Sequence, residues 1–144
     1  MQDLYQAVIL DHSRRPRNYR AIERGRKAEG YNPMCGDRIT VHVRVDGDVI
    51  HDVSFQGSGC AIAKASASLM TESVKGLACA DALVLLERFH RMVTAPPNAP
   101  IEDLGTFTVM AGIRLFPTRV KCATLPWRAL RAAADARDEV VSTE

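Results

Sequence analysis

The sequence predicts an α+β fold, and two patterns carry that reading. "RITVHVRV" alternates apolar and polar side chains with Ile39, Val41, Val43 and Val45 on one face; Asp46-Gly47 follows as a turn, and "VIHDVSFQ" returns as a second strand. "LYQAVILDH" instead repeats Leu4, Tyr5, Val8, Ile9 and His12 at helical spacing. Clear strand signals end with that hairpin, and most of the later chain reads as helix.

Each element has a local reason. The first helix must stop before Pro16, which lacks the N–H to continue it. "AEGY", before Asn32, is compatible with a further strand. From Cys60, "CAIAKASASLMTESVK" reads as a helix rich in small residues and closed by Gly76. "DALVLLERFHRMV" is the next helix, and "TAPPNAP" is the loop that breaks it. "IEDLGTFTVMAGIRLF" reads as helical despite two glycines. The last helix covers "LPWRALRAAADARDEV". Proline is tolerated in a helix's first turn, so Pro126 predicts a start near residues 122–125, with Cys122 at the N-terminus. The tail "VSTE" is expected to fray. Nothing marks a repeat or a second domain, so residues 1–144 are expected to form one domain.

Composition narrows the function classes. At 144 residues and 47% hydrophobic, the chain can bury a core without staples. Four cysteines at this length do not make a secreted disulfide scaffold. The start "MQDLYQAVILDHSRR" lacks a signal peptide's order, and no apolar run approaches the roughly 20 residues of a membrane span. A cytoplasmic protein with reduced thiols, no membrane and no nucleic-acid partner is the expectation. Net charge is +2, yet "RRPRNYRAIERGRK" holds six arginines and Lys27 against Glu23. A solvated basic surface accounts for that run, and a docking face for an acidic protein partner is the second reading. A nucleic-acid patch lacks any accompanying recognition motif.

The chemistry-bearing residues sit at three joints. "NPMCGD" (32–37) places a thiol and a carboxylate two residues apart on a bending chain. Cys60 follows "GSG" where a strand gives way to a helix, and Cys122 precedes the last helix. Helix N-termini stabilise thiolate. With Asp37, the three cysteines could supply the S₃O ligand set of a tetrahedral metal. A lone cysteine is more often core than ligand, and that reading is given to Cys79, expected to be buried outside the site. Without a CxxC pair, neither "CGD" nor "GSGC" is specific alone.

"LYQAVILDHSRRPRN", "NPMCGDRI", "FQGSGCAIAKASASLMTESVKG" and "FPTRVKCATLPWRAL" together resemble the U-type iron–sulfur cluster assembly family, the IscU/NifU-N group, from about residue 4 to 131. The likeness is to its SufU-like branch: Lys121 stands where scaffold members carry a His before the third cysteine, and the stretch from Cys60 to Cys122 is longer than in those scaffolds. The resemblance implies a small, mainly antiparallel sheet covered on one face by helices, a SufE/NifU-type sandwich. It also implies zinc held by Cys35, Asp37, Cys60 and Cys122, with Cys35 accepting persulfide sulfur from a partner cysteine desulfurase and passing it toward downstream cluster-assembly or apo-acceptor proteins. Such a protein is a zinc-dependent sulfur carrier rather than a small-molecule enzyme. Asp37 would be the exchangeable hard ligand.

Three thiolates, a carboxylate and Zn²⁺ sum to −2, and Arg119 and Lys121 flank the third cysteine as candidates to offset that charge. A scaffold carrying a transient [2Fe–2S] cluster is the alternative, disfavoured by Lys121 as a poor cluster ligand. A structural zinc module for interactions is the third reading, opposed by the aspartate ligand. His12 reads as a packed, hydrogen-bonded histidine; His42, His51 and His90 read as surface residues. Ser66, Ser68 and Thr71 read as small residues that permit close packing.

Overall fold

The computed structural model describes residues 2–34, 36–101, 103–135 and 140–142. Helix α1 (Gln2–Arg14) is followed by strands β1 (Arg26–Asn32), β2 (Asp37–Asp46) and β3 (Val49–Ser58). Helices α2 (Ala61–Val74) and α3 (Cys79–Thr94), a 3₁₀ segment (Gly105–Leu115), helix α4 (Pro117–Ala134) and strand β4 (Val140–Ser142) complete the order. The sheet runs β3-β2-β1-β4. Its first three strands are antiparallel, and short β4 adds to β1 in parallel.

The period-two pattern does what it predicts. Ile39, Val41 and Val43 of β2 are fully buried, as are their partners Phe55 and Val53 on β3. A two-residue turn over Gly47 and Asp48 joins the strands, with φ of 61° at Gly47, the pattern of a type II′ turn. The short strand before Asn32 is present as β1. Helix α4 crosses β1 and β2, α2 packs on β3 and α4, and α1 lies on α2. The helices therefore cover one sheet face, as the resemblance implies. Residues 18–20 run along the outer edge of β3, where Asn18 O accepts the Phe55 N–H and Phe55 O accepts the Arg20 N–H, so part of that edge is closed.

The last third departs from the sequence reading. Residues 105–115 form a 3₁₀ helix, and α4 begins at Pro117, five residues before Cys122. Pro117 occupies the first turn, where a proline loses nothing, and Pro126 lies inside the helix. The start of the helix is marked by Pro117, not Pro126. The helix tolerates it because Phe89 stacks on Trp127 at 4.8 Å and Phe107 meets the same ring edge-on at 5.0 Å, burial that outweighs the lost hydrogen bond. α4 also stops at Ala134 rather than running to Val140, and Val140–Ser142 pair with β1 instead of fraying. Paired β-branched valines favour a strand. Among the described residues no helix is long and apolar enough to cross a membrane.

Candidate metal centre

Asn32 ends β1 and pairs with Asp37 at the start of β2, so residues 33–36 form the link between them. Cys35 belongs to that link but lies outside the described residues. Asn32 is buried and organises the link. Its side-chain Oδ1 accepts the Met34 N–H at 3.2 Å, and its backbone carbonyl accepts the Gly36 N–H at 2.8 Å. An Asx turn of this kind bends the chain without a longer loop.

Asp37 is 2% exposed, and its Oδ1 accepts the Cys60 N–H at 2.9 Å. The approach needs glycine. A Cβ on Gly59 would sit 3.2 Å from that oxygen, and one on Gly57, whose φ is 142°, would collide with the Arg38 carbonyl. "GSG" is thus the passage that lets β3 turn past the carboxylate into α2. Cys60 is the N-cap of α2, as expected. Its thiol lies 3.6 Å from Asp37 Oδ2.

Cys122 comes from α4, buried in the helix interior rather than at its N-terminus. Its sulfur accepts from Asn32 Nδ2 at 3.7 Å and lies 3.8 Å from Thr118 O. One carboxylate oxygen of Asp37 and the sulfurs of Cys60 and Cys122 all lie within 4.8 Å of one another. A hydrogen bond from the Cys122 thiol, helped by the Ala63 and Ile62 N–H groups at the head of α2, pulls the Cys60 thiol down from 9.0 to about 7, against burial and the Asp37 charge.

These donors suit zinc. Ligands on one tetrahedral ion at about 2.0–2.3 Å sit about 3.5–3.8 Å apart, so the cluster needs little contraction to hold one. Two soft thiols and a buried carboxylate are also a borderline-soft cation's donor set. A cavity of about 650 Å³ opens beside the two sulfurs, walled by Ile9 and Leu10 of α1, Met34, Ile62 and Arg119.

The two expected supporting cations lie on α4 with Cys122. Arg119 is exposed at the cavity, its guanidinium 4.8 Å over the Phe116 ring. Lys121 reaches the Met34 sulfur at 3.6 Å. Neither joins an ion pair among the described residues. Cys79 does lie outside the cluster, but it is half-buried rather than buried, because it opens α3 with its N–H on Asp48 O. The basic run is partly neutralised within the chain: Arg17 meets Asp11 at 2.6 Å, Arg15 meets Asp11 at 3.6 Å, and Arg20 grips Asp52 at 2.7 and 3.0 Å.

His12 is packed and hydrogen-bonded, its Nδ1 2.7 Å from Ser68 Oγ. His42 is buried instead of surface-exposed, with Lys27 and Ser54 as its strand neighbours. Ser66, Ser68 and Thr71 do more than pack closely, since each is buried and hydrogen-bonded. Asn32 is the site residue the sequence reading passed over; its one signal was a polar side chain directly before the Pro-Met-Cys-Gly turn.

With this geometry in hand, the chain can be set beside known proteins. The profile of the NifU-like N terminal domain family matches residues 4–123. A protein of Streptococcus pyogenes named "Iron-sulfur cluster assembly scaffold protein IscU" is 41% identical over 133 residues, 92% of this chain and 84% of that one. "Zinc-dependent sulfurtransferase SufU" of Bacillus subtilis is 40% identical over 130 residues, 90% of this chain and 88% of that one. A crystal structure described as a putative iron-sulfur cluster assembly scaffold protein for the SUF system, from Fervidobacterium islandicum, superposes with a TM-score of 0.81 at 34% identity, covering 88% of this chain and 93% of that one. The chain belongs to the NifU-like N-terminal domain family.

Proposed function

We propose, from that family membership, that the protein is a zinc-bound sulfur acceptor in iron–sulfur cluster assembly, taking persulfide sulfur from a cysteine desulfurase through Cys35 and relaying it to cluster-assembly or apo-acceptor proteins. The observation that supports it is the convergence of Asp37, Cys60 and Cys122, from three separate segments, within 4.8 Å. Cys35, in the short link next to Asp37, completes the ligand set. When bound, zinc keeps its thiol ligands deprotonated near neutral pH.

The chain's own residues then divide the work. The Cys35 thiolate attacks the outer sulfur of the partner's persulfide; that S–S bond breaks, a new one forms to Cys35, and the partner leaves as thiolate. The transferred sulfur keeps its proton, so nothing is oxidised or reduced overall. Cys60 is fixed at a helix N-cap and Cys122 inside α4, which suits both to hold the metal. Leu10, Met34 and Ile62 give the cavity apolar walls that would shield a partner's persulfide from water.

A scaffold role is the second reading, favoured by the name of the Streptococcus relative. Protein purified without oxygen separates the two. Colourless protein with one zinc per chain, which gains one sulfur at Cys35 when incubated with a desulfurase and cysteine, supports the acceptor. Cys35→Ala should then abolish desulfurase stimulation in a folded protein. A brown protein that hands a cluster to an apo-acceptor, with no sulfur gained at Cys35, would overturn it.

A further inference from the structure

We propose that Ser66 is a positioning residue for the Cys60–Cys122 pair, an inference that rests on the metal-site reading above. Pro126 follows Cys122 by four residues and has no N–H, so the Cys122 carbonyl lacks its usual helical donor. The next carbonyl, that of Ala123, accepts the Ser66 hydroxyl at 2.6 Å. Ser66 in turn accepts Trp127 Nε1–H at 3.2 Å. An indole N–H can only donate, so the serine proton is left to point at Ala123. Ser66 and Ala123 are fully buried and Trp127 is 2% exposed, which removes water as a competing partner.

The position of this bond gives it its role. Cys60 caps α2, and Ser66 lies six residues further along the same helix, about 9 Å at the helical rise. Cys122 precedes Ala123 directly. The bond therefore ties the two sulfur-bearing helices together one residue past Cys122. Ser66 holds α4 against α2 at that point, and this contact sets where the Cys122 sulfur stands relative to Cys60.

The test is Ser66→Ala, read by zinc affinity in chelator competition and by the visible ligand-field spectrum of the cobalt-substituted protein. The expected result is zinc binding weakened about tenfold, as for other residues that orient metal ligands, with an altered cobalt spectrum. In a Pro126→Ala background, which restores the missing N–H, the same serine change should weaken binding clearly less. If S66A does not fold, Trp127→Phe removes the donor that aims the hydroxyl, together with part of the ring packed on Phe89 and Phe107, and should weaken zinc binding in the same direction. An S66A protein with a lower metal-free melting temperature but unchanged zinc affinity and cobalt spectrum would reduce Ser66 to packing and overturn the proposal, as would unchanged affinity in W127F should S66A not fold. A wild type that binds no zinc would sink the metal-site reading and this inference with it.

Discussion

Asp37 and Cys60 are held mainly by backbone: a strand end, a helix N-cap, an N–H on a carboxylate oxygen at 2.9 Å, and two glycines that let the chain pass closely. Cys122 is held mainly by side chains, with Asn32 Nδ2 on its sulfur and Ser66 on the neighbouring carbonyl of a helix that carries Pro126. Backbone scaffolding is specified within a few residues of sequence. Side-chain scaffolding recruits partners ninety and fifty-seven positions away. The first wall should thus fail through sterics and the second through lost hydrogen bonds.

The largest effect comes from removing a ligand on either wall. Cys60→Ser and Cys122→Ser should each weaken zinc binding by more than the roughly 100-fold upper end seen for orienting residues. The zinc-dependent rise in melting temperature should shrink with it, losing more than about 2.7 kcal/mol of stabilisation at zinc a thousandfold above the wild-type dissociation constant. Parallel melts with and without chelator measure this. Full stabilisation by zinc in either variant would remove that cysteine from the site.

Next comes the side-chain wall. Asn32→Asp keeps an acceptor for the Met34 N–H but loses the donor to Cys122 and sets a second carboxylate beside the sulfur. Asn32→Ala loses both contacts. Asp should weaken zinc binding by about 10–100-fold and Ala by a similar factor, but Ala alone should also unravel the 33–36 link. Faster proteolysis within that link in Ala but not in Asp would separate the two roles. Identical behaviour would mean the Met34 contact is incidental.

A smaller loss should follow at the backbone wall. Gly59→Ala places a Cβ 3.2 Å from Asp37 Oδ1, a crowding that the carboxylate can relieve by shifting a few tenths of an ångström. About 1 kcal/mol of stability should be lost, with zinc affinity falling less than in the Asn32 variants. If G59A bound zinc worse than N32A, the division into a stiff and an adjustable wall would be wrong.

The same division explains what the sequence made legible. Ile39, Val41 and Val43 declare their strand by alternation, and the bend at 32–37 declares itself by Asn, Pro and Gly, because the causes are local. So does Cys60, which follows its glycines. Cys122 was placed wrongly because the start of α4 depends on Pro117 and on how Trp127 packs against Phe89 and Phe107, contacts made by residues 20 to 38 positions away. His42 departs for a similar reason: it sits on a strand face that alternation marks as outward, yet between Lys27 and Ser54 it is buried. Ser66 looked like a small packing residue, since the carbonyl it serves lies 57 residues on.

The smallest expected effect lies away from both walls, where α1 rests on α2. His12 is 7% exposed, with Nδ1 on Ser68 Oγ at 2.7 Å and Nε2 at 4.0 Å from Glu72. Burial, with Arg17 adding to it, holds its pKa below the ordinary 6.5, and Glu72 and Asp11 offset part of that. The sign follows from which state takes the proton first. As pH falls through 6.5 the unfolded chain protonates at this residue while the folded one resists, so stability is level above that value and declines below it. The decline cannot exceed about 1.4 kcal/mol per pH unit for one histidine, and His42, lowered by burial in the same direction, adds its own share. Metal-free protein is the right sample, because zinc release adds its own proton dependence. Urea melts across this range should show His12→Asn, whose amide can still meet Ser68, with a shallower acid slope than wild type. An unchanged slope would move the acid sensitivity to His42.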